Sequence, residues 1–327
     1  MMSKKIRWGI LGTGNMAGEF ATGLKKVNDA ELVSIGSRTR DSALRFAEKF
    51  NVPNIHQGYE NVAKDESVDV IYIATPHNSH KDNAILGLEN GKAVLCEKPF
   101  TINAEEAEMV IDTARRKNVF LMEAMWTRYI PAVVKLRELL DEQVIGDVQL
   151  MLAGGAFIPE FDPEFYLFKH ELGGGVLLDA GVYLVSMASM VFGAPDKILA
   201  MGQLGKTGVD EHDAVLLEHG NGAIANLYVS LRGKSSPDLT LIGDKGRIYA
   251  HAPIFCPGKL TITADGKEEI IEMPFAANGY QYEAMEVGRC LREGETESSH
   301  MPLDETLQIM RTMDKIRSQF GLKYSNE

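Results

Sequence analysis

The sequence predicts an N-terminal α/β Rossmann domain and an α+β C-terminal domain with a large, mostly antiparallel open sheet. Three observations indicate this architecture. A glycine-rich turn links the first apolar strand to a helix, strands and helices then alternate up to residue 124, and strands with hairpin turns dominate after Val148. Because single cores stop growing near about 250–300 residues, the 327-residue chain is expected to form two domains, 1–124 and 125–327.

The composition is that of an ordinary globular protein, with 45% hydrophobic and 24% charged residues. The net charge of -12 argues against a nucleic-acid partner, which would require a basic face. The three cysteines, Cys96, Cys256 and Cys290, show no short pairing and fit a reducing cytoplasm better than a disulfide framework. The start lacks a signal-peptide core and no run approaches about 18 apolar residues, so no membrane association is expected.

The first strand, Ile6–Leu11, runs into a Gly-x-Gly-x-x-Ala turn that opens a helix. Gly12 permits the tight turn, Gly14 lets the backbone approach a pyrophosphate, and Ala17 allows helix and strand to pack closely. An ordinary βα turn is the alternative, but the position after the first strand favours a dinucleotide. The predicted cofactor-binding residues of this turn are Gly12, Thr13, Gly14, Asn15 and Met16.

The second predicted strand, 31–36, ends in a Ser-Arg-Thr-Arg sequence. Sites for NAD carry an acid here, about 20 residues after the glycines, that bonds the ribose 2′-OH. Ser37 and Arg38 would instead bond a 2′-phosphate, so NADP(H) is preferred, with NAD(H) possible. The alternative is that Arg38 and Arg40 are solvated loop charges and that Asp41 caps the following helix.

The next two strands end in polar residues at the same predicted sheet edge. The apolar run 68–75 fits a strand buried on both faces, and Ala93–Glu97 is stopped by Pro99, which has no N–H for the ladder. Ligands of such sheets bind beyond the carboxyl ends of the strands. The further predicted cofactor-binding residues are therefore Thr75, Pro76, His77, His80, Glu97 and Lys98.

The spacing of His77 and His80 could indicate metal ligands, but no cysteine or carboxylate set accompanies them. No metal is predicted. We expect His80 to cap the helix that follows or to line the cofactor cleft.

A triple glycine, 173–175, precedes an acid and a phenol four residues apart on a predicted helix, Asp179 and Tyr183. Their side chains would share a face, and such a pair suits proton transfer. The glycines would let the backbone approach something closely. The alternative is a locally satisfied Asp179 and a core Tyr183 with a bonded hydroxyl. Hairpin turns are predicted at 220–222 and at Asp265-Gly266, and two helices close the chain.

Three motifs occur in order: Gly12-x-Gly14-x-x-Ala17, Glu97-Lys98-Pro99 and Gly174-Gly175-x-x-x-Asp179-x-Gly181-x-Tyr183. Together they resemble the glucose-fructose oxidoreductase / inositol dehydrogenase / rhizopine catabolism (Gfo/Idh/MocA) family over nearly the whole chain. The segment 123–129, Glu-Ala-Met-Trp-Thr-Arg-Tyr, is similar to the dimeric dihydrodiol dehydrogenase branch, which includes xylose dehydrogenases. Many members have a histidine where this chain has Tyr183, a departure that weakens an inositol dehydrogenase assignment.

The resemblance implies a role for each motif. Lys98 would bond the reacting oxygen and the cofactor ribose, Asp179 would orient the substrate, and Tyr183 would exchange the proton with its pKa lowered by the Lys98 cation. Trp126 and Arg128 would lie against the cofactor near the nicotinamide. The C-terminal sheet would form a homodimer.

The expected function is an NADP-dependent oxidoreductase that transfers hydride between nicotinamide and a secondary alcohol or carbonyl of a sugar, polyol or cyclic dihydrodiol. Two alternatives keep the fold: glycoside hydrolysis with tightly held NAD, and a nucleotide-sensing regulator without activity. The Ser37-Arg38 pair argues mildly against the first, and the set Lys98, Asp179 and Tyr183 against the second.

The sequence does not name the substrate. Aromatic side chains that could surround an apolar or cyclic substrate could equally belong to the core or to a dimer interface. The predicted substrate-binding residues are Asp179, Tyr183, Phe157 and Tyr280, with Phe161, Tyr166 and Phe275 as further candidates.

Overall fold

The computed structural model describes residues 5–220 and 222–324, which form two compact units. Unit 1 comprises the described residues of Met1–Trp126 together with Ala276–Leu307. Unit 2 comprises Thr127–Phe275 and the described residues of Gln308–Glu327.

Unit 1 is built on a six-stranded parallel sheet with strand order 3-2-1-4-5-6. The strands are β1 (Ile6–Leu11), β2 (Ala30–Ser37), β3 (Asn54–Gln57), β4 (Val70–Ile73), β5 (Ala93–Glu97) and β6 (Leu121–Ala124). The order reverses beside β1, which pairs with both β2 and β4, so the crevice for a ligand opens beyond the carboxyl ends of β1 and β4. Strand β3 was not predicted from the sequence, because three of its four residues are polar.

Helices connect these strands: α1 (Asn15–Leu24), α2 (Arg40–Phe50), α3 (Glu60–Ala63), α4 (His80–Glu89) and α5 (Ala104–Lys117). The cap of α2 differs from the sequence-based expectation. Thr39 Oγ1 accepts a hydrogen bond from the Ser42 N–H at 3.3 Å, so Thr39 is the N-cap. Asp41 lies one position inside the first turn, where its charge favours the helix N-terminus.

Unit 2 contains an eight-stranded sheet with order 14-13-12-11-7-10-9-8, antiparallel except for the pair β7–β10. Its elements are α6 (Pro131–Asp141), β7 (Val148–Ala156), α7 (Val182–Phe192), β8 (Lys197–Leu204), β9 (Asp210–Glu218), β10 (Ile224–Ser230), β11 (Ser235–Gly243), β12 (Gly246–Ala250), β13 (Lys259–Ala264) and β14 (Lys267–Glu272).

The predicted turn at Asp265-Gly266 is confirmed. It joins β13 to β14, and both residues have positive φ, 52° and 71°, as a type I′ hairpin requires. The other predicted turn, 220–222, includes Asn221, which lies outside the described residues.

The helical stretch His170–Phe192 is long and apolar enough to cross a membrane by length and composition, with a hydropathy of 1.7. It contains a π-helical turn, Leu177–Gly181, that leads directly into α7. In its most apolar window, 61% is buried inside the protein. Helix α7 packs on β7 and β10, so the core of unit 2 accounts for the apolar residues.

Two helices close the chain, α8 (Gln281–Glu293) and α9 (Leu303–Gln319). Helix α8 packs on α1, and the close approach is visible at Gly23, where an added Cβ would lie 2.9 Å from the Gln281 nitrogen. Arg292 pairs with Asp29 at 2.5 Å. The sequence placed residues 276–307 with the second domain, whereas these contacts hold the segment in unit 1.

Candidate functional site

The glycine turn of unit 1 has the backbone that a dinucleotide requires. Gly12 has φ of +103°, and an added Cβ would lie 2.3 Å from the Ala74 carbonyl oxygen, so only glycine lets the β1 and β4 ends approach. Gly14, the N-cap of α1, has no atom within 4 Å of an added Cβ and no capping side chain. The first-turn amides therefore fit a bound pyrophosphate.

The end of β2 offers groups for the adenosine ribose. Ser37 is buried with its Oγ 3.3 Å from Thr13 Oγ1, and Arg38 is exposed. The pKa of Tyr59 is raised above its ordinary value, because burial raises it by more than the Arg38 charge lowers it. A hydroxyl and a guanidinium at this position fit a 2′-phosphate.

His80 does not cap α4 or line an open cleft. It is the first residue of the helix and has no solvent exposure. Its Nδ1 lies 2.9 Å from the Pro99 carbonyl oxygen and its Nε2 2.9 Å from the Thr75 carbonyl oxygen. Burial lowers the pKa to about 4, so the ring is neutral and donates to one carbonyl at a time. Its side chain links the segments that follow β4 and β5, and its predicted contact with the cofactor stays a prediction.

The neighbouring polar residues remain at the carboxyl edge. Thr75 Oγ1 accepts from Asn83 Nδ2 at 3.1 Å, which orients the hydroxyl at the end of β4. Pro76 and His77 are half-buried and open the short 3₁₀ turn that precedes α4.

The Glu97-Lys98-Pro99 sequence sends its acid and its base to different surroundings. Lys98 is half-buried, and its peptide bond to Pro99 is cis. Glu97 is buried, and its carboxyl accepts from the Tyr72 hydroxyl and, at 3.2 Å, from the Lys98 N–H. Burial raises the pKa of Glu97 to about 7 against the Tyr72 bond and the Lys98 charge. The carboxyl of Glu97 thus lies inside unit 1, and its predicted contact with the cofactor stays a prediction.

A second buried acid in this region was not predicted from the sequence. Glu283 of α8 has no solvent exposure, and neither carboxyl oxygen has a hydrogen-bond partner among the described residues. Burial, and then the charge of Glu97, raise its pKa well above the ordinary value. Both effects favour the neutral form of the Glu283 carboxyl. The sequence does contain one sign of this buried acid, since Glu283 falls on the apolar face of an amphipathic helix.

Trp126 and Tyr280 form a stacked pair within unit 1, with ring centroids 4.3 Å apart and planes 14° from parallel. Both rings are nearly buried. The stacking brings together two parts of the chain that are distant in sequence.

Arg128 is placed differently from the expectation that it lies against the nicotinamide. Its buried guanidinium donates from Nε to Ser186 Oγ at 3.1 Å and from Nη2 to the Ser186 carbonyl oxygen at 2.7 Å. Because Ser186 belongs to α7, Arg128 anchors the helix that carries Tyr183.

In unit 2 the π-helical turn and the first turn of α7 carry Asp179 and Tyr183. Asp179 is half-buried and its Oδ1 accepts from the Tyr166 hydroxyl at 3.4 Å. Tyr183 is 9% exposed, and its ring centroid lies 5.7 Å from that of Phe255. Phe255, whose carbonyl accepts from Thr127 Oγ1 at 2.7 Å, was missed because it lies in an irregular loop without a motif.

The aromatic stretch before this helix is exposed: Phe157 by 42%, Phe161 by 50% and Tyr166 by 41%. The hydrogen bond from Tyr166 to Asp179 places Tyr166, the last of these three residues, beside the Asp179 carboxylate. An exposed ring next to a carboxylate, as at Tyr166 and Asp179, can hold a substrate with both an apolar face and hydroxyl groups. Phe275 is half-buried. Within residues 5–220 and 222–324, no group of three His, Cys, Asp or Glu side chains has metal-binding geometry.

Two family models match the chain. One, described as an oxidoreductase family with an NAD-binding Rossmann fold, matches residues 6–125. The other, described as the GFO/IDH/MocA C-terminal domain, matches residues 133–249. The first confirms the predicted dinucleotide-binding fold, and the two together confirm the predicted fold class.

The chain is similar over its whole length to enzymes named trans-1,2-dihydrobenzene-1,2-diol dehydrogenase. The Mus musculus protein is 36% identical, with 98% of this chain and 99% of that protein covered. The Homo sapiens protein is 34% identical, with the same coverage of 98% and 99%.

Two solved structures illustrate the likeness of fold. KijD10, a 3-ketoreductase from Actinomadura kijaniata in complex with NADP and TDP-benzene, has a TM-score of 0.87, 25% identity and coverage of 96% of this chain and 98% of its own. Levoglucosan dehydrogenase, in complex with NADH and levoglucosan, has a TM-score of 0.89, 19% identity and coverage of 96% of both chains.

Proposed function

Because the chain belongs to the GFO/IDH/MocA oxidoreductase family, we propose that it transfers hydride between NADP(H) and a secondary alcohol or carbonyl carbon of a sugar, polyol or cyclic dihydrodiol. The observation that carries the proposal is the Asp179 and Tyr183 pair on one helical stretch, with the exposed Tyr166 beside Asp179 and Phe255 beside Tyr183. A nicotinamide-dependent oxidoreductase needs a proton-exchanging group as well as a cofactor fold, and Tyr183 supplies one.

A bound nicotinamide accepts or supplies the hydride. When an alcohol is oxidised, its carbon loses the hydride and its oxygen loses a proton, which the phenolate form of Tyr183 accepts to become the phenol; in reduction the phenol returns the proton. The Lys98 ammonium stabilises the negative charge that develops on the oxygen. Asp179 accepts hydrogen bonds from substrate hydroxyls and so selects polyhydroxylated or diol substrates.

A cyclic dihydrodiol suits this chain better than an open-chain sugar. The similar mammalian enzymes are named for trans-1,2-dihydrobenzene-1,2-diol. The exposed rings of Phe157, Phe161 and Tyr166 suit the flat face of such a molecule.

An NADP(H)-linked activity screen over aldoses, polyols, dihydrodiols and dicarbonyls tests the proposal, and turnover of at least one class is expected. Tight cofactor binding without turnover across the panel would instead indicate a nucleotide sensor. Cofactor that stays bound through purification, with no turnover of added NADP, would indicate glycoside hydrolysis.

The preference for NADP over NAD is part of the proposal and is supported by the Ser37 and Arg38 pair at the β2 end. Replacing Arg38 with alanine should raise the Kd of NADPH by about 10–100-fold, since a hydrogen bond to a charged group contributes about 1.5–3 kcal/mol. The Kd of NADH should change by less than about twofold, as it has no 2′-phosphate. Fluorescence titration measures both constants.

The neighbouring exposed arginine provides the control for this test. Arg40→Ala should leave the ratio of the two constants unchanged if Arg38 alone contacts the phosphate. Tighter binding of NADH than NADPH to the unmodified protein would contradict the NADP preference.

A homodimer through the outer face of the unit 2 sheet is also proposed. Alternate residues on adjacent strands leave large apolar side chains exposed, among them Leu199 (67%), Met201 (80%) and Leu216 (43%). Leu199 lies opposite Leu216 in the β8–β9 pair. Exposed Ile224 and Tyr228 extend this face onto β10. A contiguous apolar face of this kind is typical of a protein–protein interface.

Met201→Lys should shift the solution mass from dimer to monomer, because it puts a charge at the most exposed apolar position of this face. Sedimentation velocity measures the change. Glu48→Lys, an exposed change on α2 of unit 1, should leave the mass unaltered. A monomeric unmodified protein, or a Met201→Lys protein that remains dimeric, would contradict the proposed face.

A cytoplasmic location and small-molecule partners complete the proposal. The three cysteines are free thiols, which suits a reducing compartment, and the net charge of -12 suits neither nucleic acid nor an anionic membrane. Cell fractionation tests the location.

A further inference from the structure

The turn that leads into the Asp179 and Tyr183 stretch is held by a buried carboxylate. Asp210, the first residue of β9, has no solvent exposure. Its Oδ2 accepts a hydrogen bond from the Leu177 backbone N–H at 2.6 Å. Leu177 begins the π-helical turn, and the free amides at the N-terminus of a helical stretch favour a negative charge.

Close contacts at this turn leave no room for a side chain at Gly174 or Gly175, two of the three glycines. Gly175 has φ of +116°, and an added Cβ would lie 2.0 Å from Asp210 Oδ1. The carbonyl of Gly174 accepts a hydrogen bond from the Tyr324 hydroxyl at 2.7 Å, and an added Cβ at Gly174 would lie 2.7 Å from the Leu167 carbonyl oxygen. The close approach predicted for these glycines is therefore made by side chains and backbone of unit 2 itself.

A second buried acid, Asp213, lies on the same strand as Asp210, and the two carboxyls differ in which form is favoured. Asp213 is 1% exposed, and its carboxyl shares a side-chain hydrogen bond with the carboxyl of Asp210. Burial, and then the charge of Asp210, raise the pKa of Asp213 to about 10. Burial also raises the pKa of Asp210, but the hydrogen bond with Asp213 and then the backbone amides, among them those of Leu177 and Val176, favour its charged form. Of this coupled pair, Asp210 is therefore the acid whose charged form is favoured, and Asp213 is the acid whose neutral form is favoured.

We propose that Asp210 is a positioning residue whose carboxylate holds the turn at 175–177 and thereby fixes where Asp179 and Tyr183 present their side chains. The proposal rests on the proposed roles of those two residues. Tyr324 acts on the same turn through Gly174, from the C-terminal end of the described chain.

The matched pair Asp210→Asn and Asp213→Asn tests this. Asp210→Asn keeps the size of the side chain but removes the charge, and it should lower kcat by about 10–100-fold, the loss expected when reacting groups are misplaced by about 1 Å. The Kd of NADPH should be unchanged because the glycine turn lies in unit 1. Asp213→Asn replaces the acid by a neutral amide of the same shape that can still donate to Asp210, so kcat should stay within about twofold. Unchanged kcat in Asp210→Asn, or equal losses in both variants, would overturn the proposal.

Amide hydrogen exchange gives a readout that does not depend on activity. Exchange across 174–183 should be faster in Asp210→Asn than in the unmodified protein and unchanged in Asp213→Asn. Unaltered exchange in Asp210→Asn, or faster exchange with an unchanged kcat, would overturn the positioning role. An unmodified protein without turnover on any substrate would refute the proposed function, and the exchange result would still decide whether Asp210 holds the turn.

Tyr324→Phe serves where Asp210→Asn fails to fold. This change removes only the hydroxyl bond to the Gly174 carbonyl, and it should lower kcat and speed exchange at 174–183 in the same direction but less. Unmodified values of both quantities in Tyr324→Phe would overturn the proposal.

Discussion

Lys98→Met should lower turnover by about 100- to 1,000-fold, the range measured when one group that stabilises a developing oxyanion is removed. Methionine has nearly the length of lysine, so the variant removes the cation with little change in shape. Lys98 follows β5 at the carboxyl edge of the parallel sheet, the edge at which ligands of this fold bind. NADPH binding should remain measurable, because the glycine turn and Arg38 are untouched.

Steady-state kinetics and fluorescence titration of NADPH measure the two effects of Lys98→Met separately. Lys64→Met, the same change at an exposed lysine of unit 1, is the matched control and should keep turnover. Near-normal turnover in Lys98→Met would end the assignment of Lys98 to the reacting oxygen.

Tyr183→Phe should lower kcat by about 10²- to 10⁴-fold, the contribution expected of one general acid–base group. The change deletes a hydroxyl and keeps the ring, so the packing against Phe255 is retained. Because the phenol is the titrating group in the proposed proton exchange, the limb that it contributes to the pH profile of kcat should disappear with it.

Profiles of kcat against pH for the two proteins test the role of Tyr183. Tyr249→Phe makes the same chemical change elsewhere in unit 2, at a hydroxyl bonded to Asp238 at 2.8 Å, and should leave kcat unaffected. A rate retained in Tyr183→Phe with an unchanged profile would assign the proton to another group.

The elements that could be predicted from sequence are those with a local physical cause. Helix α5 runs over Ala104–Lys117 because Asn103 caps it and Asn118 ends it in the left-handed conformation, two signals that lie at the helix boundaries themselves. Strand β4 is recognisable as an apolar run because both of its faces are buried. Strand β3 carries no such pattern and was therefore missed.

The side-chain contacts at the candidate site that the sequence did not predict join residues that are distant in sequence. His80 and Glu97 were expected at the cofactor surface, but the ring of His80 bonds backbone carbonyls and the carboxyl of Glu97 meets the Tyr72 hydroxyl. Arg128 was expected near the nicotinamide and instead anchors Ser186. A polar residue at a strand end has the same sequence signature whether it turns outward or inward, since only packing decides which partner it meets.

The opening Gly-x-Gly-x-x-Ala turn, the alternation of strands and helices, and the motif carrying Asp179 and Tyr183 follow from residue order, because glycine geometry and apolar periodicity act within a few residues. Only the tertiary structure assigns the segment 276–307 to unit 1, pairs Trp126 with Tyr280, and puts Asp210 against Gly175. These contacts join residues far apart in the chain. They depend on which buried surfaces fit together, and that complementarity has no local signature.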